Sequence, residues 1–135
     1  MKASSVKEAK RIFVELKKNN YTSREHILKI APALDMIHNN FLKENFSLKD
    51  LASACNMGES YFQKLFKEKY GISPKKYIIQ LKLNHACDLL LLERYSVTQI
   101  AEMCNFYDVY FFSKQFKEYL GITPTQFIQN YRSSK

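Results

Sequence analysis

Two stretches decide how this chain folds: S-L-K-D-L-A-S-A-C-N-M, starting at Ser47, and S-V-T-Q-I-A-E-M-C-N-F, starting at Ser96. Leu48, Leu51, Ala52, Cys55, Asn56 and Met57 match Val97, Ile100, Ala101, Cys104, Asn105 and Phe106 at an offset of 49. Beyond them, Tyr61, Phe62, Lys64, Phe66, Gly71, Ile72 and Pro74 match Phe111, Phe112, Lys114, Phe116, Gly121, Ile122 and Pro124 at an offset of 50. The second copy therefore has one extra residue in its turn. Matched spacing over about 30 residues, twice, marks a duplicated supersecondary unit.

Each copy reads as two short helices. Ser47 before Asp50 and Ser96 before Gln99 resemble capping boxes, with Asp50 a shorter stand-in for Glu. The first helices, about 48–55 and 97–104, place apolar residues at i, i+3, i+4 and i+7, which gives each one buried stripe. A brief turn follows at Asn56–Gly58 and Asn105–Tyr107. The second helices run about 59–69 and 108–119, with Asp108 as a cap for the latter. Gly71 and Gly121 sit where a left-handed residue ends a helix, and Ser73-Pro74 and Thr123-Pro124 start the next one. Short helix, tight turn and second helix is the helix-turn-helix pattern.

Between the copies, residues 74–92 form one long helix, apolar on more than one face, as expected of a helix buried between neighbours. It should pack on both units. Upstream, Leu34, Ile37, His38, Phe41 and Leu42 make one stripe of a helix at about 32–45, and residues 124–131 make a closing helix. Residues 5–19 and 23–30 read as further helices, broken by N-N-Y-T-S at 19–23 and bearing Val6, Ile12, Phe13, Leu16, Ile27 and Ile30 as apolar positions. The fold class is all-α: two helix-turn-helix subdomains joined by a long linker helix.

Composition agrees. The 135 residues hold 46% hydrophobic and 25% charged residues, with only 3 Gly and 3 Pro, too apolar for disorder and too poor in punctuation for a strand-rich fold. No apolar run approaches the roughly 20 residues that span a membrane, and the N-terminus lacks the apolar core of a secretion signal. Three cysteines without C-x-x-C spacing argue for a reducing compartment and against a zinc site. Cys55, Cys87 and Cys104 read as small buried hydrophobes. His26, His38 and His85 have no metal-ligand spacing, and no catalytic constellation stands out. The chain reads as a non-enzyme without a cofactor, cytoplasmic and nucleoid-associated.

The formal charge is +8. It is uneven: residues 1–30 carry eight Lys/Arg against three Glu, and residues 31–135 carry 13 against 10. A polyanion partner fits this excess. Because the bulk of the chain is only mildly basic, placed contacts must matter as much as a general field.

Two such units joined by a long helix resemble the AraC/XylS family of bacterial transcription regulators. N-F-Y-D-V-Y-F-F-S-K-Q-F-K-E-Y-L-G-I-T-P (105–124) is similar to that family's G-F-x-D-x-x-Y-F-S-R-x-F-K-x-x-x-G-x-(S/T)-P. M-G-E-S-Y-F-Q-K-L-F-K (57–67) is similar to M-S-x-x-Y-L-x-R-L-F-K, and K-L-N-H-A-C-D-L-L (82–90) to R-L-x-x-A-x-x-L-L. The resemblance covers about residues 32–131. The chain departs from it in Asn105 for Gly, Gly58 for Ser, and Lys64, Lys82 and Lys114 where Arg is frequent. Lys keeps the charge but loses the bidentate fork. Asn105 tolerates a left-handed turn.

The resemblance implies double-stranded DNA as partner, with the second helix of each unit in adjacent major-groove segments, ~34 Å apart along one face. In the first reader Glu59, Ser60, Gln63 and Lys64 are the base-reading candidates; Gln63 suits adenine, and Lys64 guanine or phosphate. In the second they are Val109, Tyr110, Ser113 and Lys114, with Val109 and Tyr110 offered to thymine methyls. Phosphate candidates are Ser47, Lys49, Ser96 and Thr98 at helix N-termini, Lys67 and Lys117 on the readers, and Lys76, Tyr77 and Lys82 on the linker. Lys75 is a further linker candidate. Phe62, Leu65, Phe66, Phe112 and Phe116 should face the core, with Phe111 partly buried.

Residues 1–31 read as a helical arm, and the chain as either a stand-alone short regulator or the C-terminal portion of a longer one; the arm favours the second, as a lead-in from an absent sensing domain through which any effector ligand would act. Residues 32–73, 74–92 and 93–135 are the first unit, linker and second unit. The alternative is a C-terminal DNA-binding fragment of a longer sensor-regulator acting here mainly by protein interaction. RNA polymerase would be met on surfaces away from the recognition helices.

Overall fold

The computed structural model describes residues 21–134. Among these residues there are seven α-helices and no strand: α1 (Tyr21–Asn40), α2 (Leu48–Ala54), α3 (Glu59–Tyr70), α4 (Pro74–Leu92), α5 (Val97–Met103), α6 (Val109–Leu120) and α7 (Pro124–Ser133). The expected helix at 5–19 lies outside the described residues.

The duplication is visible in the backbone. α2 and α5 have 7 residues each, and α3 and α6 have 12. The extra residue of the second copy falls in the turn, as the offsets require. Both turns use a left-handed asparagine, Asn56 at φ 55° and Asn105 at φ 61°. Both close with the same long backbone bond, Met57 N–H to the Ala52 carbonyl at 3.1 Å and Phe106 N–H to the Ala101 carbonyl at 3.0 Å. This is the way a helix satisfies its last carbonyls before a sharp change of direction.

Local signals end the helices as anticipated. Gly71 (φ 76°) and Gly121 (φ 84°) terminate α3 and α6, each N–H reaching back to a lysine carbonyl, Lys67 or Lys117. Ser96 with Gln99 and Thr123 with Gln126 form complete capping boxes. Asp108 caps α6 through a 2.7 Å bond from the Phe111 N–H. α3 differs: its N-cap is Gly58, which has no side chain to offer.

The chain divides into two compact units. One holds the described residues up to Asp35 together with Leu48–Ser73; the other holds Met36–Ser47 and everything described from Pro74 onward. The buried residues of the first are Ile30, Ala33, Leu51, Ala52, Phe62, Leu65 and Phe66. In the second, Leu83, Ala86 and Leu90 of α4 form one cluster with Ile100, Ala101, Cys104, Phe112 and Phe116. Phe112 and Phe116 stack edge-on at 5.7 Å, and Phe116 meets Phe127 of α7 at 5.7 Å. Arg132 of α7 pairs with Glu93, just past α4. The expected linker thus contributes one wall of the second unit's core.

From α2 onward the helix ends fall within two residues of expectation, and the larger departures lie in α1. α1 starts at Tyr21, inside the stretch read as a break, and runs through Pro32. Proline forfeits one backbone bond, but Ile30, Ala33 and Ile37 on one stripe are fully buried, and that burial outweighs the loss. α1 also ends at Asn40 rather than near 45. Residues 41–43 turn, with the Lys43 and Glu44 N–H groups both donating to the Asn40 carbonyl.

Candidate nucleic-acid interface

Each unit locks one face of its second helix and displays the other. On α3, Phe62, Leu65 and Phe66 are buried, while Glu59, Ser60, Gln63, Lys64 and Lys67 are exposed. Their i, i+3/i+4 spacing sets all five on one side. Phe62 and Phe66 stack at 5.8 Å, and Phe66 meets Tyr70 at 4.8 Å, so this face of the helix is held by ring packing.

On α6, Phe112 and Phe116 are fully buried, and Tyr110, Lys114 and Lys117 are exposed. Ser113 is half-buried, and Val109 is half-buried against the core cluster. Of the four base-reading candidates here, Tyr110 and Lys114 therefore offer the most surface. Phe111 is 36% exposed, in line with its expected partial burial.

One exposed residue escaped the sequence reading. Tyr107, in the turn ahead of α6, is 93% exposed, and Tyr110 is 82% exposed. A large side chain that neither caps nor packs is free to meet a partner. Its place in a five-residue turn, with no periodicity to assign it a face, hid it.

The phosphate candidates divide. Ser47, Lys49, Lys67, Lys76, Ser96, Thr98 and Lys117 are exposed. The Ser96 N–H is already committed to Gln99 Oε1 at 2.8 Å, and its hydroxyl accepts from the Gln99 N–H at 3.1 Å. Tyr77 is half-buried, its hydroxyl 2.7 Å from His38 Nε2 with the two rings edge-on at 5.7 Å. Burial pushes the Tyr77 phenol up, so it stays protonated.

Lys82 is a correction. Expected to reach a phosphate, it is only 8% exposed. Its Nζ donates to the Asn105 carbonyl at 2.8 Å and lies 5.5 Å from the centroid of the Phe106 ring. Burial holds the ammonium below the usual lysine range, with the neighbouring Cys104 pulling the other way. Cys104 is fully buried, and burial pushes its thiol up to about 12. Cys55 and Cys87 are half-buried and shifted upward for the same reason.

Among the described residues, no group of histidine, cysteine and carboxylate side chains could hold a metal ion, and no helix is long and apolar enough to cross a membrane. What each unit displays is a polar helix face with lysines, mounted on a packed aromatic core. Such a face suits a groove lined by phosphates and base edges.

A family model described as a helix-turn-helix domain matches residues 51–130. The lactose operon transcription activator of Staphylococcus xylosus is 31% identical over 98 residues, 73% of this chain and 35% of that protein. The raffinose operon transcriptional regulatory protein RafR of Pediococcus pentosaceus is 36% identical over 92 residues, 65% of this chain and 33% of that protein. The chain spans about a third of the length of these curated relatives. Among solved structures, a transcriptional regulator of Chromobacterium violaceum described as AraC-type DNA-binding domain-containing aligns with a TM-score of 0.68 at 29% identity, covering 82% of this chain and 95% of that one. The DNA-binding domain of AdpA, solved in complex with a target DNA, aligns with a TM-score of 0.68 at 25% identity, covering 77% and 96%. The match over residues 51–130 takes in both displayed helices, and the chain belongs to the AraC/XylS family of helix-turn-helix transcription regulators.

Proposed function

We propose that this chain binds double-stranded DNA sequence-specifically and regulates transcription, with α3 and α6 as two major-groove readers. One observation carries the reading: the same unit occurs twice, each time with a helix locked by buried phenylalanines on one face and displaying exposed lysines on the other. Glu59, Ser60, Gln63 and Lys64 read one block, and Tyr110 and Lys114, flanked by Val109 and Ser113, read the other. Lys49, Lys67, Lys76, Lys117, Ser47, Ser96, Thr98 and Tyr77 serve the phosphates, by charge or by hydroxyl. Lys82 has no place in that set.

Because the readers differ in sequence, one copy reads an asymmetric site. The DNA-binding function resides in residues 32–135, with 1–31 as an arm whose last turn, bearing the buried Ile30, belongs to the first unit. The protein works in the cytoplasm at the nucleoid and performs no catalytic step. An effector acts through a separate sensing domain, and RNA polymerase is met on surfaces away from α3 and α6.

The test is selection of bound fragments from random double-stranded DNA with the purified chain at moderate salt. Enrichment of two blocks about one helical turn apart is expected. Affinity should fall steeply with salt, in proportion to the phosphates contacted. Salt-insensitive or absent binding would refute the reading and favour a protein-interaction module.

A further inference from the structure

We propose that Asn105 and Lys82 are positioning residues for the second reader: without touching DNA, they set the base preference of α6. The proposal rests on the reading of α6 as a base reader. Asn105 stands where the family pattern has glycine. Glycine would adopt φ 61° at no steric cost, so the backbone alone does not ask for asparagine.

What asparagine adds is an amide. Its Nδ2 donates to the Glu44 carbonyl at 3.2 Å and to Asn45 Oδ1 at 3.3 Å, and lies 3.5 Å from the Phe41 carbonyl. These acceptors belong to the segment after α1, some 60 residues earlier in the chain. The Asn105 carbonyl, in turn, accepts from Lys82 Nζ on α4. The next residue, Phe106, lies under the Lys82 ammonium and packs edge-on against Phe112 at 5.0 Å. The turn that launches α6 is thus gripped by α4, by the 41–45 segment and by a ring of α6 itself.

The first unit supplies an internal contrast. Asn56 occupies the equivalent place, also left-handed, with its side chain exposed to solvent. There asparagine meets only the backbone requirement. In the second unit it joins segments distant in sequence, and α6 begins four residues later. A recognition helix must hold its side chains within a fraction of an ångström of base edges, so the support of its first turn enters specificity directly.

The experiment compares the parent chain with Asn105→Gly, Lys82→Met, Lys82→Arg and Asn56→Gly by selection from random double-stranded DNA. Melting curves and amide hydrogen exchange are recorded alongside. Asn105→Gly and Lys82→Met should lower base discrimination in one block by roughly fivefold or more, the scale of one lost base-edge pairing, and leave the other block sharp. Lys82→Arg and Asn56→Gly should keep both blocks. Exchange at residues 108–113 should quicken in Asn105→Gly and not in Asn56→Gly. Retention of both blocks in Asn105→Gly, or equal blurring of the two, would overturn the proposal. Unchanged exchange at 108–113 would overturn it independently of DNA. If the parent itself enriches no site, the DNA-reading function fails, and the exchange measurement alone decides whether the grip exists.

Discussion

Lys82 Nζ donates to the main-chain carbonyl of Asn105, 23 residues away, at 2.8 Å. A lysine that is 8% exposed would be costly without a partner; here a carbonyl and an aromatic face receive it. Replacing Lys82 with Ala should destabilise the fold by about 1–3 kcal/mol, since the Asn105 carbonyl loses its side-chain donor and a packed stem is removed. Urea unfolding of the variant checks this; a midpoint equal to the parent's would mean that water replaces the ammonium at no cost.

Cys104 sets a pH dependence of definite sign. Its thiol is pushed up to about 12 in the fold against 9.0 for the free group. Above pH 9 the unfolded chain releases this proton while the folded chain keeps it, so stability is full below 9 and is lost as pH rises toward 12. The full loss is on the order of 4 kcal/mol. Cys55 and Cys87 act in the same direction. Lys82, lowered by burial, acts in the opposite one, because the folded chain releases its proton before the unfolded chain does. Between pH 9 and 12 the unfolding free energy of the parent should fall more steeply with pH than that of Cys104→Ala. An unchanged slope would show that Cys104 titrates normally in the fold.

Phe116 is fully buried and contacts Phe112 and Phe127. Phe116→Ala should cost about 3–5 kcal/mol through lost transfer energy and a cavity. A melting curve matching the parent's would place this face of α6 in solvent and reverse the assignment of its reading face.

The glycines separate by backbone. Gly121 sits at φ 84° with open space around it, so Gly121→Ala should cost about 1–2 kcal/mol from the left-handed conformation alone. Gly58 has an ordinary φ of −71° and caps α3 without a side chain. Gly58→Ser should add about 0.5–1 kcal/mol by capping the helix and stiffening the unfolded chain. Differential calorimetry of the pair should show shifts of opposite sign.

On DNA, Gln63→Ala and Lys64→Ala should each change base preference within one block at a cost of about 1–3 kcal/mol. Lys49→Ala should weaken all sequences alike and make the salt slope shallower by about one. Unaltered preference in both α3 variants would remove that helix from base reading; a base-selective loss in Lys49→Ala would contradict its phosphate role.

The sequence by itself determined whatever short-range periodicity can carry. The apolar stripes of α2 and α5, the caps at Ser96, Asp108 and Thr123, the left-handed stops at Gly71 and Gly121, and the buried faces of α3 and α6 all follow from residues within four positions of one another. Their being written twice made them unambiguous. Tertiary structure alone decided the fate of groups whose partners lie far along the chain. Lys82 reads as a solvent-facing cation until α5 and its turn bring the Asn105 carbonyl to it. Asn105 reads as a mere glycine substitute until Glu44 and Asn45, about 60 residues earlier, receive its amide. α1 runs through Pro32 because burial of Ile30, Ala33 and Ile37 outweighs a local breaker, and Tyr107 stands exposed although its neighbours Asn105 and Phe106 in the same turn are held by distant segments. Local rules fix which elements form; the free energy of burying a polar or charged group depends on what the fold brings beside it.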